Sequence, residues 1–191
     1  RRNTEYFGDY VMAGTLSVQK IQGLATSATP TTVEISSGHK LTGAAGSIVA
    51  PGSIIQTVST TIDGQTTTSS TSTYASTPTT ATITPKFSTS KILVSVSSGL
   101  FWLNGSGGAS ATIYRNGSNI HPNNMYFVRT YPVTSPGSKI QTTGPMSYLD
   151  SPASTSALTY TVYVVATWGG TVQWGSNGND CATMTLQEIA Q

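Results

Sequence analysis

Short runs in which apolar and polar residues alternate recur along most of the chain. The alternation is most regular in residues 92–96, 160–164 and 182–186. A period of two is that of a strand with one buried face, and no segment repeats with the 3.6-residue period of a helix. We therefore predict an all-β protein whose core contains the apolar residues of these runs, which are Ile92, Val94, Val96, Tyr160, Val162, Val164, Ala182, Met184 and Leu186.

About nine short strands follow one another between residues 53 and 189, with turns rich in Gly, Pro and Asn between them. Asn116-Gly117 has the composition of a type I′ hairpin turn, and Asp63-Gly64 carries a similar hairpin signal. Strands at this spacing predict a two-sheet β-sandwich of the jelly-roll kind. The predicted strands cover residues 53–60, 79–85, 91–97, 110–115, 125–131, 145–149, 157–167, 171–174 and 181–189.

Residues 13–50 differ from the rest because their aliphatic residues are sparse. Such a segment buries too little apolar area to offset its own ordering entropy, about 1–2 kcal/mol per residue. Either it is a flexible linker, or it buries five aliphatic residues against other copies of itself: Leu16, Val18, Ile21, Val33 and Ile35. The regular recurrence of aliphatic residues favours the second interpretation. We therefore predict an N-terminal extended or β stem segment, residues 1–50, and a β-sandwich head domain, residues 51–191.

The composition is poor in charge and rich in hydroxyl groups. Charged residues make up 8% of the chain, against roughly 25% in an ordinary globular domain, and Ser and Thr make up about thirty per cent. The net charge of +2 is small and dispersed, so nucleic acid is not an expected partner. Membrane insertion is not expected either, because no apolar run approaches about 20 residues. This composition is typical of an extracellular or virion-surface β protein.

Several segments in chain order resemble a virion fibre domain of tailed bacteriophages, of the marine and cyanobacterial type. The segments contain the predicted strands and turns, and together they span most of residues 13–190. They are residues 16–21, 52–56, 83–96, 111–118, 159–166 and 182–190.

The resemblance implies a homotrimeric structural protein on the outside of the phage particle, either a tail fibre or a head fibre or capsid decoration protein. The N-terminal segment is then the part that binds other virion proteins. A trimer presents three equivalent sets of loops, so weak contacts with a host-surface polysaccharide combine through avidity. The family pattern marks strands and turns and assigns no binding residue.

Aromatic residues beside Gly and Asn give the candidate glycan site. Sugars stack on exposed rings, and neighbouring Asn and Asp side chains bind their hydroxyl groups. The candidates are Trp102, Trp174, Asn177, Asn179 and Asp180. The alternative for a Trp at a strand end is packing in the core or at a subunit contact. Further aromatic residues in the chain are Tyr114, Tyr126, Tyr131, Tyr148 and Trp168.

The sequence offers few candidate catalytic residues. The acidic residues form no spaced pair, although Asp150 and Asp180 could meet in space. His39 and His121 are the only histidines, and each is interpreted as a surface residue. The single Cys181 excludes an intrachain disulfide, and its place in a predicted strand predicts a buried thiol. We therefore expect a protein that is not an enzyme, with no catalytic residue, no metal site and no cofactor.

The alternative interpretation is a monomeric carbohydrate-binding module of a secreted bacterial enzyme or adhesin. It shares the sandwich and the aromatic residues with the fibre interpretation. The regularly placed aliphatic residues of 13–50 disfavour it, because a module of this kind would carry a linker there.

Overall fold

The structure is a computed structural model that describes residues 37–38, 40, 42–43, 48–97, 101–123, 125–130, 139–175 and 181–191. The chain divides into two units, residues 1–42 and residues 43–191. The predicted β stem falls almost entirely outside the described residues, so its structure stays a prediction. The β-sandwich lies in the second unit.

The described residues contain thirteen strands and no helix. Strands are numbered in chain order. They are β1 (Ile54–Ile62), β2 (Thr66–Thr68), β3 (Ala75–Ile83), β4 (Lys91–Ser97), β5 (Phe101–Asn104), β6 (Gly108–Arg115), β7 (Ser118–Asn119), β8 (Val128–Arg129), β9 (Lys139–Thr142), β10 (Met146–Asp150), β11 (Leu158–Thr167), β12 (Thr171–Trp174) and β13 (Ala182–Ile189).

Two antiparallel sheets form the sandwich. The first has the order β1-β13-β4-β10, and the second has the order β3-β11-β6, with β7 and β8 both paired to β6. The first and last strands of the sandwich therefore lie side by side, which is the strand order of a jelly roll with its two Greek keys. A third sheet, β2-β12-β5-β9, has strands that are interleaved along the chain with those of the other two sheets, and it was not predicted.

The core lies between the inward faces of these sheets. All nine core residues predicted from the alternation are buried. Seven of them are 0% exposed: Ile92, Val94, Tyr160, Val162, Val164, Met184 and Leu186. Alternation works here because every second side chain of a strand faces the same way. The prediction of an all-β sandwich is therefore confirmed.

The two turn predictions have different outcomes. Asn116 and Gly117 have φ values of 48° and 81° between β6 and β7, which confirms the predicted hairpin. The hairpin at Asp63-Gly64 is wrong, because β1 pairs with β13 while β2 pairs with β12. The chain crosses at this point from the first sheet to the third instead of folding back on itself.

Two other expectations need correction. Cys181 is exposed rather than buried, because β13 begins at Ala182 and the cysteine precedes the first paired residue. The strand predicted over residues 125–131 is reduced to Val128–Arg129, which pairs with Ser110 and Ala111 of β6.

Candidate functional site

Trp174 is a core residue and offers no surface to a sugar. Its side chain is 0% exposed, and its ring packs edge-on against the ring of Phe101, with 5.7 Å between the ring centroids. The indole N–H donates to the Thr79 hydroxyl at 2.8 Å, so its polar atom is satisfied inside the sandwich. The assignment of Trp174 to a glycan site is corrected, because the packing alternative describes its position.

Trp102 lies on the opposite face of the same sheet. In the pairing of β12 with β5, Trp102 is opposite Gln173, whereas Trp174 is opposite Phe101. Side chains of neighbouring positions on a strand point to opposite faces. Trp102 is half-buried and has Gln173 and Gln141 as its cross-strand neighbours. The two tryptophans therefore cannot belong to one binding site.

Asn177, Asn179 and Asp180 fall outside the described residues, so their part in a glycan site stays a prediction. The described structure does, however, bring together other aromatic residues. We call Tyr74, Tyr114, Tyr126, Tyr163 and Trp168, together with Arg129, the aromatic platform.

Three tyrosines form one half of the aromatic platform on the outer face of the second sheet. Tyr163 alternates with the buried Val162 and Val164, so its ring faces outward. It stacks on Tyr114 of the neighbouring strand β6, with 4.0 Å between centroids and 20° between planes. Tyr74, which precedes β3, is the third member of the group, and its ring centroid lies 6.0 Å from that of Tyr114. All three side chains are half-buried, so part of each ring reaches solvent.

Burial and mutual contact keep Tyr74 and Tyr114 protonated. Burial raises the pKa of Tyr74, and the nearby Tyr114 and Tyr126 raise it further. Burial also raises the pKa of Tyr114, with a further contribution from Tyr163. The phenol groups therefore stay neutral at physiological pH and act as hydrogen-bond donors and acceptors.

The other half of the aromatic platform is built around Arg129. Its Nη1 donates to the hydroxyl of Tyr126, and its Cζ lies 5.0 Å from the Tyr126 ring centroid. The same Cζ lies 3.8 Å from the ring centroid of Trp168. Arg129 pairs with Ser110 of β6, which is buried. One guanidinium thus joins two rings by cation–π contacts.

Trp168 is the most exposed ring of the aromatic platform, at 55% of its surface. Its φ of 63° is unusual for a residue with a side chain. Beneath it, Gly108 leaves the room that the ring needs, since a Cβ on Gly108 would lie 3.0 Å from Trp168 Cε3. Close backbone contact also holds the loop, because a Cβ on Gly107 would lie 2.0 Å from the Gly169 carbonyl oxygen. The fold therefore presents Trp168 in a fixed orientation at a strained position.

Hydroxyl groups lie on the same outer face as the tyrosines. Thr80 and Thr161 are 2.9 Å apart at their hydroxyl oxygens, and Thr82 and Thr159 are also 2.9 Å apart. Thr161 is the cross-strand neighbour of Tyr114. The face thus combines apolar rings with a row of neutral donors and acceptors.

Trp168 lies at the end of the sandwich opposite the point where β1 begins. Ile54 at the start of β1 pairs with Ile189, and Gln56 donates to the carbonyl of Thr84, just after β3. Leu158, at the start of β11, pairs with Ile83 at that same end. Since β11 runs from there to the far end, Trp168, which follows it, lies away from the entry of the chain.

Two buried carboxylates have structural roles. Asp150 accepts from Arg115 Nη1 at 2.5 Å and from the Tyr160 hydroxyl at 2.8 Å, which joins the two sheets of the sandwich. Burial raises the pKa of Tyr160, and Asp150 raises it further, so this phenol stays protonated. These two hydrogen bonds hold the Asp150 carboxylate between the two sheets.

Glu188 is the other buried carboxylate, at 0% exposure. Burial by itself raises its pKa, but hydrogen bonds, among them those from Gln56, Lys86 and Phe87, outweigh that effect and lower the pKa. The backbone N–H groups of Lys86 and Phe87 donate at 2.8 and 3.2 Å. Glu188 therefore fixes the loop between β3 and β4.

The described part of the chain contains no group of three metal-ligating residues. This part of the chain also opens no pocket. It also contains no helix of the length and apolar character that crossing a bilayer requires.

The sequence contained a signal for the aromatic platform. Tyr114 and Tyr163 stand at positions of their strands that alternate with the apolar core positions, which predicts that they face outward. Trp168 precedes Gly169-Gly170 directly after a strand. Trp168, Tyr114 and Tyr126 stood among the candidate aromatic residues, but the site was assigned to the Trp174 segment. No sequence signal links Arg129 to Trp168, because they meet only through the pairing of β8 with β6.

Comparisons with known proteins give no family. No protein-family model matches the chain, and no curated protein matches it. Among solved structures, the VP2 subviral particle of infectious bursal disease virus is similar with a TM-score of 0.35 and 15% identity. The match covers 85% of this chain and 46% of the VP2 chain, so this chain spans less than half of that protein. A similarity of this size assigns neither a family nor a function.

Proposed function

We propose that the protein is a structural protein of a tailed-phage virion, a homotrimeric tail fibre or head fibre or decoration protein, whose sandwich contacts host-surface glycans through the aromatic platform. The observation that carries the glycan part is the row of aromatic rings on one outer face, ending in the exposed Trp168. Glycan adhesion in this proposal needs no catalytic group and no cofactor.

The chemistry of the aromatic platform suits a neutral or weakly charged sugar. A pyranose ring has an apolar C–H face that stacks on an aromatic ring, and hydroxyl groups at its rim. Trp168 and the tyrosines offer ring surface, while Thr82 and Thr159 offer exposed hydroxyl groups. The rings are prearranged by the sheet, which reduces the entropy lost on binding.

The placement of Trp168 supports a role at the outside of a particle. The chain enters the sandwich at the end opposite Trp168. The N-terminal segment, which this proposal assigns to binding other virion proteins, therefore joins the sandwich at the end that does not carry Trp168. The surface is poor in charge, which limits long-range repulsion from a host envelope.

A glycan array probed with the intact chain tests the proposal, followed by titration of the best oligosaccharide. Trp168→Ala should weaken binding at least about tenfold, since aromatic anchors dominate such contacts. Phe87→Ala is the matched control, because Phe87 is 41% exposed and lies in the β3–β4 loop at the other end of the sandwich. Equal affinity of wild type and the Trp168 variant would overturn the role of the aromatic platform.

The second candidate, a monomeric carbohydrate-binding module, rests on the same aromatic rings. Light scattering after gel filtration separates the two, because a virion fibre is expected to be a closed symmetric oligomer. A mass of three chains supports the fibre proposal. A mass of one chain together with glycan binding favours the module.

A further inference from the structure

Among the described residues, strand β1 is an edge of the first sheet. It pairs with β13 on one side, and no described strand pairs with its other side. Its nine residues, Ile54–Ile62, include no charged residue and no proline. Proteins normally protect an edge of this length with lysine, proline or a covering segment, because its free N–H and C=O groups bind other strands. The one irregularity in its pairing lies at its start, between Ile54 and Gln56.

The apolar side chains of β1 are incompletely covered. Val58 and Ile62 point inward but are only half-buried, and Ile54 is 56% exposed. The inward residues of the adjacent β13 are all buried, with Leu186 at 0%. The edge of the sandwich at β1 thus leaves apolar surface in water, which a further strand would cover.

The opposite edge of the same sheet is β10, Met146–Asp150. Its one charged residue, Asp150, is buried against Arg115 and Tyr160, so this edge is also without exposed charge. Leu149 on its outer face is 44% exposed. Because every pair in the sheet is antiparallel, β1 and β10 run in opposite directions.

We propose that β1 of one copy pairs with β10 of the next copy, so that three copies of the first sheet close into a ring. This rests on the proposed homotrimer and assigns its interface. Antiparallel pairing of β1 with β10 keeps all copies in one orientation, so the three Trp168 residues lie at the same end. Antiparallel pairing of β1 with another β1 would instead give a two-fold dimer whose copies point in opposite directions.

Lysine substitutions at cross-strand pairs test the two edges. Ser59→Lys changes the β1 edge, and its control is Thr185→Lys on the interior strand β13, since the two hydroxyls share one hydrogen bond of 3.1 Å. Ser147→Lys changes the β10 edge, and its control is Ser95→Lys, the cross-strand neighbour on β4. A charge on an edge strand opposes pairing with a further strand, whereas one on an interior strand does not.

The readout is solution mass across a dilution series, with circular dichroism to confirm that each variant is folded. Both edge variants should dissociate at concentrations at least about tenfold higher than wild type, while both controls stay trimeric. A trimer that both edge variants leave intact overturns the edge interface and leaves the homotrimer standing. A wild-type dimer overturns the ring, and a wild-type monomer overturns the homotrimer itself, whatever the glycan array gives.

Discussion

The guanidinium of Arg129 lies over the ring of Trp168, with Cζ 3.8 Å from the ring centroid. The two residues are far apart in the chain and meet because β8 pairs with β6 beside the turn that follows β11. A cation on one face of an indole leaves the other face available to solvent. This accounts for a tryptophan that is fixed in position and still 55% exposed.

Replacing Arg129 by methionine should destabilise the protein by about 1–2 kcal/mol, which combines a cation–π contact with the hydrogen bond to Tyr126. Methionine keeps much of the aliphatic stem, so the loss reports on the guanidinium. Urea unfolding measures the change, and Lys91→Met on the first sheet is the control. An equal effect of the two substitutions would show that Arg129 contributes no more than an ordinary surface cation.

Trp174→Ala should cost about 3–5 kcal/mol of unfolding free energy, because it empties a buried site. Thr79→Val should cost about 1–3 kcal/mol in the wild type, since it leaves the indole N–H buried without its acceptor. In a Trp174→Phe background, which has no indole N–H, the same Thr79 substitution should be nearly neutral. A double-mutant cycle by urea unfolding measures the coupling, and additive effects would contradict the hydrogen bond.

Trp174 is a core residue, and the alternation of side chains along β12 predicts this burial better than the local residue composition does. Val172 and Trp174 share one parity of β12 and Gln173 has the other, so the period of two already places Trp174 inside. The glycan assignment came from the Gly and Asn residues that follow Trp174, which describe the next loop and not the strand. Within a strand, the alternation of apolar and polar residues therefore predicts burial better than the residue types of the loop that follows.

Other features depend on contacts between distant segments and could not be read from local sequence. Asp63-Gly64 has the residues of a hairpin turn, but the partner of β1 is β13 at the far end of the chain. The aromatic platform likewise takes Tyr74, Tyr126 and Trp168 from three separate loops. Local turn chemistry predicts a change of direction, while long-range pairing determines where the chain goes.

Glu188→Gln should destabilise the protein at neutral pH by about 1.5–3 kcal/mol, since a neutral amide replaces an ionised acceptor that receives hydrogen bonds from Gln56 and the Lys86 backbone N–H. The pKa of Glu188 is lower in the folded state than its ordinary value of 4.5. The ionised carboxylate therefore stabilises the fold above about pH 4.5, and this contribution is lost as the pH falls through the folded pKa. Urea unfolding at neutral and acidic pH should show the gap between wild type and variant narrowing in acid; a constant gap would contradict the assignment.

Gly107→Ala tests whether the two loops beneath Trp168 need their close backbone contact. Gly107 has a φ of 148°, and a Cβ there would lie 2.0 Å from the Gly169 carbonyl oxygen, which forces the loops apart. Gly117→Ala is the matched control, because Gly117 has a φ of 81° with open space around its missing Cβ. The control should lose about 1–3 kcal/mol from backbone strain alone, and Gly107→Ala should lose more, measured by urea unfolding. Because the separated loops no longer fix Trp168, the Gly107 variant should also show faster acrylamide quenching of tryptophan fluorescence; identical stability and quenching in the two variants would mean that the loop contact does not position the ring.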